Sequence, residues 1–416
     1  MIIKPKYKGF ICLTAHPTGC YRNVEDMVNR AIGRESKTQG VAGASGVQEA
    51  PEASEVQWPS GMRRAPKNVV IIGGSTGYGL ASRIAAACAC KANTASVIFE
   101  KPARGSRTAT SGFYNDRAVR ALAVEYGAND ISINIDAFSN EAKQMLIKEW
   151  RGAYGDEKID LLIYSIAAPK RIDPKTGEIY TSVIKPIGRP YHNKTLDFHT
   201  GQISEISIKE AGPDEIEQTV KVMGGEDWQL WIEALLAENL LSVGMKTVAF
   251  SYIGPELTHA IYKDGAIGRA KDDLLRKSYG IDDLIAPLNG RALISVNKAI
   301  VTQSSAAIPV VTLYMSLLYK VMKEKGSHED KLDQMLRLFF DNLYSKDSKQ
   351  RIDHLIRLDD LELKPEVQAE VAELWEKADS DNIEQISDVQ GYRAEFFSLF
   401  GFGRDDVDYE ADVTDY

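Results

Sequence analysis

An α/β fold built on a doubly wound parallel sheet is predicted for this chain by three observations. Residues 69–72 (VVII) form a short apolar run that ends in a glycine-rich turn, and residues 80–90 (LASRIAAACAC) follow as a helix of small side chains. A wholly apolar run of that length suits a strand covered on both faces. From residue 68 onward, further branched apolar runs alternate with helical patterns, the order expected of βαβ units. The chain, at 416 residues, is also long enough to close one large core of this kind.

Composition narrows the function classes. An apolar fraction of 44% and a charged fraction of 26% are those of a globular protein. A net charge of −9 argues against non-specific nucleic-acid binding and leaves room for a local basic pocket. The opening MIIKPKYKGFICLTAHP lacks the apolar core of a signal peptide. No stretch approaches the roughly 18 apolar residues of a membrane span, so no membrane partner is expected. Cys12, Cys20, Cys88 and Cys90 make no CxxC pair. Cys88 and Cys90 would point about 200° apart on a helix. Reduced structural thiols in a cytoplasmic protein are expected.

In chain order, the N-terminal addition holds a short strand at residues 9–13 and a helix at 24–32. Residues 33–64, rich in Gly, Ala, Ser, Glu and Pro without periodicity, read as a flexible surface insertion. The first strand (69–72) is followed by a second at 95–100 (ASVIFE), a helix at 117–126, a third strand at 131–135 and a helix at 140–153. A fourth strand lies at 159–166 (IDLLIYSI). A polar, turn-rich insertion, 170–212, interrupts the order, and HTGQISEISIKE within it suggests a small hairpin. Helical character returns at 213–241. A fifth strand lies at 247–253 (TVAFSYI), a sixth at 291–296 (RALISV), and an apolar helix at 306–324. The whole reads as one large domain with its core at 68–325 and a helical extension at 326–416.

In such a sheet a ligand lies beyond the carboxyl ends of the strands. The first strand delivers Gly73, Gly74, Ser75, Thr76, Gly77, Tyr78 and Gly79 there. Free backbone N–H groups at a helix start, with the helix dipole behind them, can hold a pyrophosphate. The spacing Gly73-x3-Gly77-x-Gly79 differs from GxGxxG and matches a Rossmann-type variant found in short-chain reductases. The alternative is a tight turn with no ligand. The second strand delivers Phe99 and Glu100. A carboxylate there accepts adenosine ribose hydroxyls and repels a 2′-phosphate, favouring NADH over NADPH, although Lys101 is adjacent. The third delivers Asp136 and Ala137 toward an adenine edge. The fourth delivers Ser165, Ile166 and Ala167, small enough for close approach to a ribose.

Hydride transfer to a polarised carbonyl or enoyl system needs an acid near the developing oxyanion. In short-chain reductases it is a tyrosine one helical turn before a lysine. Tyr154/Lys158 and Tyr319/Lys323 have that spacing, but neither pair follows the fifth strand, where the pair belongs. After that strand comes SYIGPELTHAIYKDGAIGRAKDDLL, with Tyr252, Tyr262 and Lys271. Nine residues turn a helix by about 900°, so Tyr262 and Lys271 can converge only if Tyr262 lies in a loop and Lys271 in the helix. Gly265 and Gly268 allow a late helix start. Tyr252 can offer a second hydroxyl to the same oxygen. Alternatively these tyrosines are wall residues. The six histidines have no shared ligand spacing, so no metal is expected, and His259 reads as a wall residue.

At these residues the chain resembles the trans-2-enoyl-CoA reductases and FabV-type enoyl-acyl carrier protein reductases. The resemblance runs almost full length, through MIIKPKYKGFICLTAHPTGC, GGSTGYGLASRIAAA, VMGGEDWQLW, SYIGPELTHAIY with GAIGRAK, SVNKAIVTQSSAAIP and FGFGRDDVDYEADV. It implies NADH-dependent reduction of the trans-2 double bond of acyl thioesters, in fatty-acid synthesis or butyryl-CoA formation. Tyr-x8-Lys is the family hallmark. By resemblance Tyr262 is the proton donor, Lys271 holds the cofactor and Tyr252 contacts the substrate thioester. The resemblance also carries over cofactor positions Gly73 to Tyr78, Phe99, Glu100, Asp136, Ala137, Ile166, Ala167, Ile300, Val301 and Thr302. It implies a monomer and a substrate carried on coenzyme A or acyl carrier protein. The segment 170–212 reads slightly closer to the enoyl-CoA members. The chain departs from the family pattern at 33–64. Two other functions suit the same scaffold: a ketone or aldehyde reductase, and a non-catalytic NADH-binding regulator, which should lack the Tyr/Lys pair.

Overall fold

The computed structural model describes residues 1–8, 11–37, 65–306, 308, 310–345 and 353–413. Seven strands form the central sheet: β1 (Asn68–Ile72), β2 (Asn93–Ile98), β3 (Asp130–Asn134), β4 (Ile159–Tyr164), β5 (Leu241–Ser251), β6 (Arg291–Val296) and β7 (Leu355–Arg357). Their order is β7-β6-β5-β4-β1-β2-β3, and every pairing is parallel. The chain builds outward from β1 to β3, then returns to lay β4 on the other side of β1. The switch point therefore falls between β1 and β4, where an open sheet holds its ligand. Register aligns the carboxyl ends: Ile72 lies opposite Val97 and Tyr164, Tyr164 opposite Ala249, and Ser251 opposite Val296.

The apolar run of β1 is explained by its two buried faces. Val69 and Ile71 pack with Leu80, Ile84 and Val119 on one side. Val70 and Ile72 pack with Trp150, Trp228 and Trp231 on the other. Alternate strand residues point to opposite faces, so with helices on both sides no position is left for a polar residue. The helix after β1 runs Gly77–Ile84 and widens into a π-type turn at Ala85–Ala89. Its Arg83 is fully buried and paired with Asp116 and Asp130, which ties this helix to β3 and to the helix Ser111–Glu125.

Several element boundaries differ from the sequence expectations. The N-terminal helix is Pro17–Lys37, so residues 33–37 belong to it, and residues 38–64 of the expected insertion lie outside the described residues. The N-terminal strand is half of a small hairpin, Tyr7–Lys8 with Ile11–Cys12. The second and fourth strands stop at Ile98 and Tyr164, which leaves Phe99, Glu100, Ser165 and Ile166 in the loops beyond. The insertion after β4 contains two hairpins, Lys170–Ile172 with Ile179–Thr181 and Tyr191–Asp197 with Gln202–Ile208. The second begins upstream of the expected one.

The helical stretch read at 213–241 is two helices, Pro213–Met223 and Glu226–Ala237. It breaks at Gly224 and Gly225, where the backbone passes so near the helix Ala266–Ile285 that a Cβ on Gly225 would lie 2.5 Å from Lys277 Cβ. The apolar helix starts later than read, at Val311, and runs to Glu324. The C-terminal extension is not wholly helical: it supplies β7, which pairs with the end of β6 through Ile294 and Leu355. Three residues with one buried side chain, Ile356, are too short for a strand period to be visible. The helices Pro365–Lys377 and Val389–Ser398 then pack on Val311–Glu324, with Val367, Val371, Tyr392 and Phe396 in the shared core. All four cysteines are buried, and none forms a disulfide among the described residues. Among the described residues no helix is long and apolar enough to cross a membrane.

Candidate active site at the carboxyl edge of the sheet

The glycine turn after β1 is pressed against the end of β4. Ser165 N donates to Ile72 O at 2.8 Å, and Gly73 N donates to Val97 O at 2.8 Å. Gly73 has φ +92°, and a Cβ there would lie 2.3 Å from Ser165 O. A Cβ on Gly79 would lie 2.0 Å from Gly73 O, and one on Gly74 2.2 Å from Ser96 Oγ. Only glycine fits such approaches. The helix that starts at Gly77 has Thr76 as its N-cap, whose side chain caps nothing. The first-turn N–H groups have no intrahelical acceptors and face the edge.

Glu100 is fixed beside this turn. Its Oε1 accepts from Ser75 Oγ at 2.6 Å, and its Oε2 accepts from the Thr110 hydroxyl. The Asn134 amide holds its backbone from both sides, with Glu100 N donating to Oδ1 at 2.8 Å and Nδ2 donating to Glu100 O at 2.9 Å. Gly112 makes room, because a Cβ there would meet Oε1 at 2.0 Å. Each carboxylate oxygen keeps a second acceptor position. Phe99, at 73% exposure, stands free at the end of β2.

The other expected cofactor positions are divided between the edge and the protein. Asp136 Oδ1 accepts from Phe138 N at 3.0 Å, closing the turn after β3. Ala137 is buried, and its carbonyl accepts from Lys143 Nζ at 3.1 Å. Ile166 lies over the turn, its Cδ1 3.2 Å from where a Gly73 Cβ would sit, and Ala167 is exposed. The Tyr78 hydroxyl donates to Lys298 O at 2.7 Å, and its ring meets Phe250 edge to face. This side chain joins the turn to the segment after β6. In that segment Ile300 and Val301 are buried, and Thr302 Oγ1 accepts from Ser305 N at 2.9 Å. The structure thus gathers Gly73, Gly74, Ser75, Glu100 and Ile166 into one patch. It engages Tyr78, Ala137 and Thr302 largely with protein.

The two tyrosines meet beyond β5, and Lys271 follows on the next long helix. Tyr252 follows the strand directly. The short helix Glu256–His259 and a turn carrying Tyr262 come next, and the helix Ala266–Ile285 then presents Lys271. Two glycines let the turn press on that helix: a Cβ on Gly268 would lie 1.8 Å from Lys263 O, and one on Gly265 2.5 Å from Ile261 O. The Tyr252 and Tyr262 rings meet edge to face at 4.8 Å. Lys271 Nζ donates to Phe250 O at 3.1 Å, which leaves two of its protons for other partners. Burial pulls its pKa down to about 8. Burial raises the Tyr262 hydroxyl above the ordinary tyrosine range, so the group is held as a neutral proton donor. His259 Nε2 sits 3.1 Å from Gly254 O, as part of the wall.

Neither of the one-turn Tyr/Lys pairs shares this place. Tyr154 Oη donates to Thr94 O at 2.9 Å, at the opposite edge of the sheet. Tyr319 is buried in the C-terminal core, accepting from Val301 N at 3.2 Å. Sequence reading missed the support of Glu100 by Ser75 and Thr110. It also missed Glu362, a buried carboxylate that accepts from Tyr252. Glu362 lies in a charge-rich stretch, LDDLELKPE, where no spacing sets it apart from solvated neighbours.

Three family models match consecutive parts of the chain. They are the NAD(P)H binding domain of trans-2-enoyl-CoA reductase at residues 2–105, the trans-2-enoyl-CoA reductase catalytic region at 107–344 and the enoyl reductase FAD binding domain at 347–413. The enoyl-[acyl-carrier-protein] reductase [NADH] of Coxiella burnetii (strain RSA 331 / Henzerling II) is 51% identical over 99% of this chain and 96% of its own length. The trans-2-enoyl-CoA reductase [NADH] of Ruminiclostridium cellulolyticum is 48% identical over 99% and 98%. The crystal structure of Treponema denticola trans-2-enoyl-CoA reductase in complex with NAD superposes with a TM-score of 0.90 at 42% identity, covering 99% of this chain and 98% of that one.

The glycine turn suits a nicotinamide dinucleotide, with a cradle that a Cβ would fill and a placed carboxylate beside it. Among the described residues of the C-terminal segment a flavin dinucleotide finds no such cradle. Gly401 (φ +76°) is packed against the backbone of His16, Gly19 and Cys20, and a Cβ on Gly391 would strike the Asp388 side chain. Val367, Val371, Trp375, Tyr392 and Phe396 are buried in the core. Among the described residues of that segment no glycine-rich strand-to-helix turn is present.

Proposed function

Since the chain belongs to the trans-2-enoyl-CoA reductase family, we propose that Tyr262 and Lys271 carry out its reaction at the end of β5, with Tyr252 as the wall of the substrate site. The protein is an NADH-dependent enzyme that reduces the trans-2 double bond of enoyl thioesters. The observation that carries the residue assignment is the Tyr262 hydroxyl, which makes no hydrogen bond among the described residues although it lies against Tyr252 and is desolvated.

NADH, when bound, supplies the hydride to C3 of the enoyl group. The residues that would hold it are the turn Gly73 to Tyr78 through backbone N–H groups, Glu100 at the adenosine ribose, and the loops at Asp136, Ala137, Ile166, Ala167 and Ile300 to Thr302, with Phe99 alongside. Tyr262 Oη donates to the thioester oxygen and stabilises the enolate as charge grows there. Its proton is the one that C2 can receive. Lys271, anchored on Phe250 O, keeps two protons that would hold the cofactor ribose, and its charge would favour the phenolate form of Tyr262 as the proton leaves. The buried surroundings exclude water and strengthen both effects.

The carrier is coenzyme A or acyl carrier protein, in butyryl-CoA formation or fatty-acid synthesis, and the sequence of residues 170–212 favours the coenzyme A users. The test is NADH oxidation by purified protein with crotonyl-CoA against a longer enoyl-acyl carrier protein. Faster turnover of crotonyl-CoA is expected, and preference for the carrier-bound substrate would reverse the assignment. A monomer is what the family resemblance implies, and sedimentation at assay concentration tests it. Buried cysteines kept as thiols suit a cytoplasmic site of action.

A further inference from the structure

Glu362 is a fully buried carboxylate that the chemistry above does not use. Its Oε1 accepts from Tyr252 Oη at 3.0 Å and from Tyr314 Oη at 2.7 Å, and its Oε2 accepts from Ala299 N at 2.8 Å. Gln368 Nε2 braces the group, donating to Tyr314 Oη at 3.2 Å and to Glu362 O at 2.7 Å. Lys298 is the cation that faces it. The end of β5, the loop after β6, the helix Val311–Glu324 and the segment before Pro365–Lys377 therefore meet at one carboxylate. Burying such a group costs stability unless every acceptor is used, and an apolar side chain would fill the space at less cost.

A phenol has one proton. With it given to Glu362, Tyr252 shows the substrate site its ring and a lone pair, and the thioester oxygen has Tyr262 as its tyrosine donor. We propose that Glu362 is a positioning residue of the reductase: it fixes the ring and hydroxyl direction of Tyr252, and so leaves Tyr262 as the group that receives the oxyanion. The inference rests on the reading of Tyr252 as a wall of the substrate site.

Glu362→Gln tests it, because the amide keeps the shape and reverses the hydrogen bonds. The amide oxygen must stay on Ala299 N–H, which leaves the NH2 group against the two phenols. Both phenols then accept, and the Tyr252 proton turns outward. The expected result is a kcat on crotonyl-CoA lowered about tenfold, with KM for NADH within about twofold of wild type. In a Tyr252→Phe background the same substitution is expected to change kcat by less than about twofold, since the two residues act as a unit. Equal losses in both backgrounds, or an unchanged kcat in the single variant, would overturn the proposal. Unchanged kcat and KM for crotonyl-CoA in Tyr252→Phe alone would instead remove the reading of Tyr252, and the inference with it. If Glu362→Gln does not fold, wild-type protein labelled with [ζ-13C]tyrosine decides. The Tyr252 signal, identified by its loss in Tyr252→Phe, is expected downfield of a water-exposed tyrosine, as for a phenol donating to a carboxylate. A signal at or upfield of that position would overturn the proposal.

Discussion

The rings of Tyr252 and Tyr262 stand edge to face, with centroids 4.8 Å apart and planes at 84°. One comes from the end of a central strand and the other from a turn ten residues later. The contact fixes Tyr262 by its ring, and among the described residues its hydroxyl makes no hydrogen bond, a combination suited to a group that must meet a substrate oxygen. An edge-to-face pair adds about 0.5–1.5 kcal/mol beyond burial, on top of the backbone bonds of Ile261 N and Tyr262 N to Thr258 O that hold the turn.

Tyr262→Phe keeps that ring contact and removes only the hydroxyl. Turnover of crotonyl-CoA is expected to fall about a hundredfold or more, the range of a lost general acid. The dissociation constant for NADH, followed by fluorescence titration, should stay within about twofold. Wild-type turnover in this variant would discard the assignment of Tyr262.

Gly268→Ala tests how Tyr262 is placed. The added Cβ would lie 1.8 Å from Lys263 O, while at Gly280, in the same helix, a Cβ meets nothing within 4 Å. Overpacking at Gly268 is expected to cost about 1–3 kcal/mol in urea unfolding and to lower kcat as the turn is pushed away. Gly280→Ala should leave kcat unchanged and add about 0.4–1 kcal/mol. Like responses from the two variants would show that close packing under the turn is not what places Tyr262.

Glu100→Ala addresses the coenzyme. With the carboxylate held by Ser75 and Thr110, its charge has nowhere to turn away from a 2′-phosphate. Removing it should shift the ratio of kcat/KM for NADH over NADPH by about tenfold or more toward NADPH, a loss of one repulsive contact. An unchanged ratio would place the discrimination elsewhere.

Lys271 gives a pH dependence of definite sign. Its folded pKa is pulled down to about 8 by burial, against about 10.4 for an unfolded lysine. Between those values the unfolded chain binds more protons, so this residue makes the cofactor-free protein more stable as pH rises through that window. Relative to Lys271→Met, wild-type protein should therefore gain stability in urea unfolding from about pH 8 to about pH 10. A stability difference that is flat or falling over that span would contradict a depressed amine. Turnover should show the opposite trend, declining above about pH 8 as the Lys271 charge proposed to act in the reaction is lost.

The central sheet was legible because its signals are local. Residues 69–72 are apolar at every position, as two covered faces require, and the glycines that follow are where the backbone has no space for a Cβ. The placement of Tyr262 in a turn and Lys271 in a helix could be argued from helical rotation alone. The short strand Leu355–Arg357 could not be read, since three residues carry no period. Nor could the break at Gly224 and Gly225, which depends on the approach of a helix some fifty residues away. The burial of Ala137 and the hold of Lys143 on its carbonyl likewise depend on a helix that the local pattern does not place against it.

By itself the sequence determined the doubly wound sheet, the glycine turn after its first strand, and a Tyr262-to-Lys271 spacing beyond the fifth strand that one straight helix puts on opposite faces. Each follows from side-chain period, glycine spacing or the geometry of one helix. Tertiary structure alone decided the direction in which the polar groups point. Ser75 and Thr110 converge on Glu100, Tyr78 reaches Lys298 rather than the edge, and Tyr252 gives its proton to Glu362. A buried polar group must find its partner in whatever element packs against it. For Tyr252 that partner lies 110 residues away, beyond the reach of any local pattern.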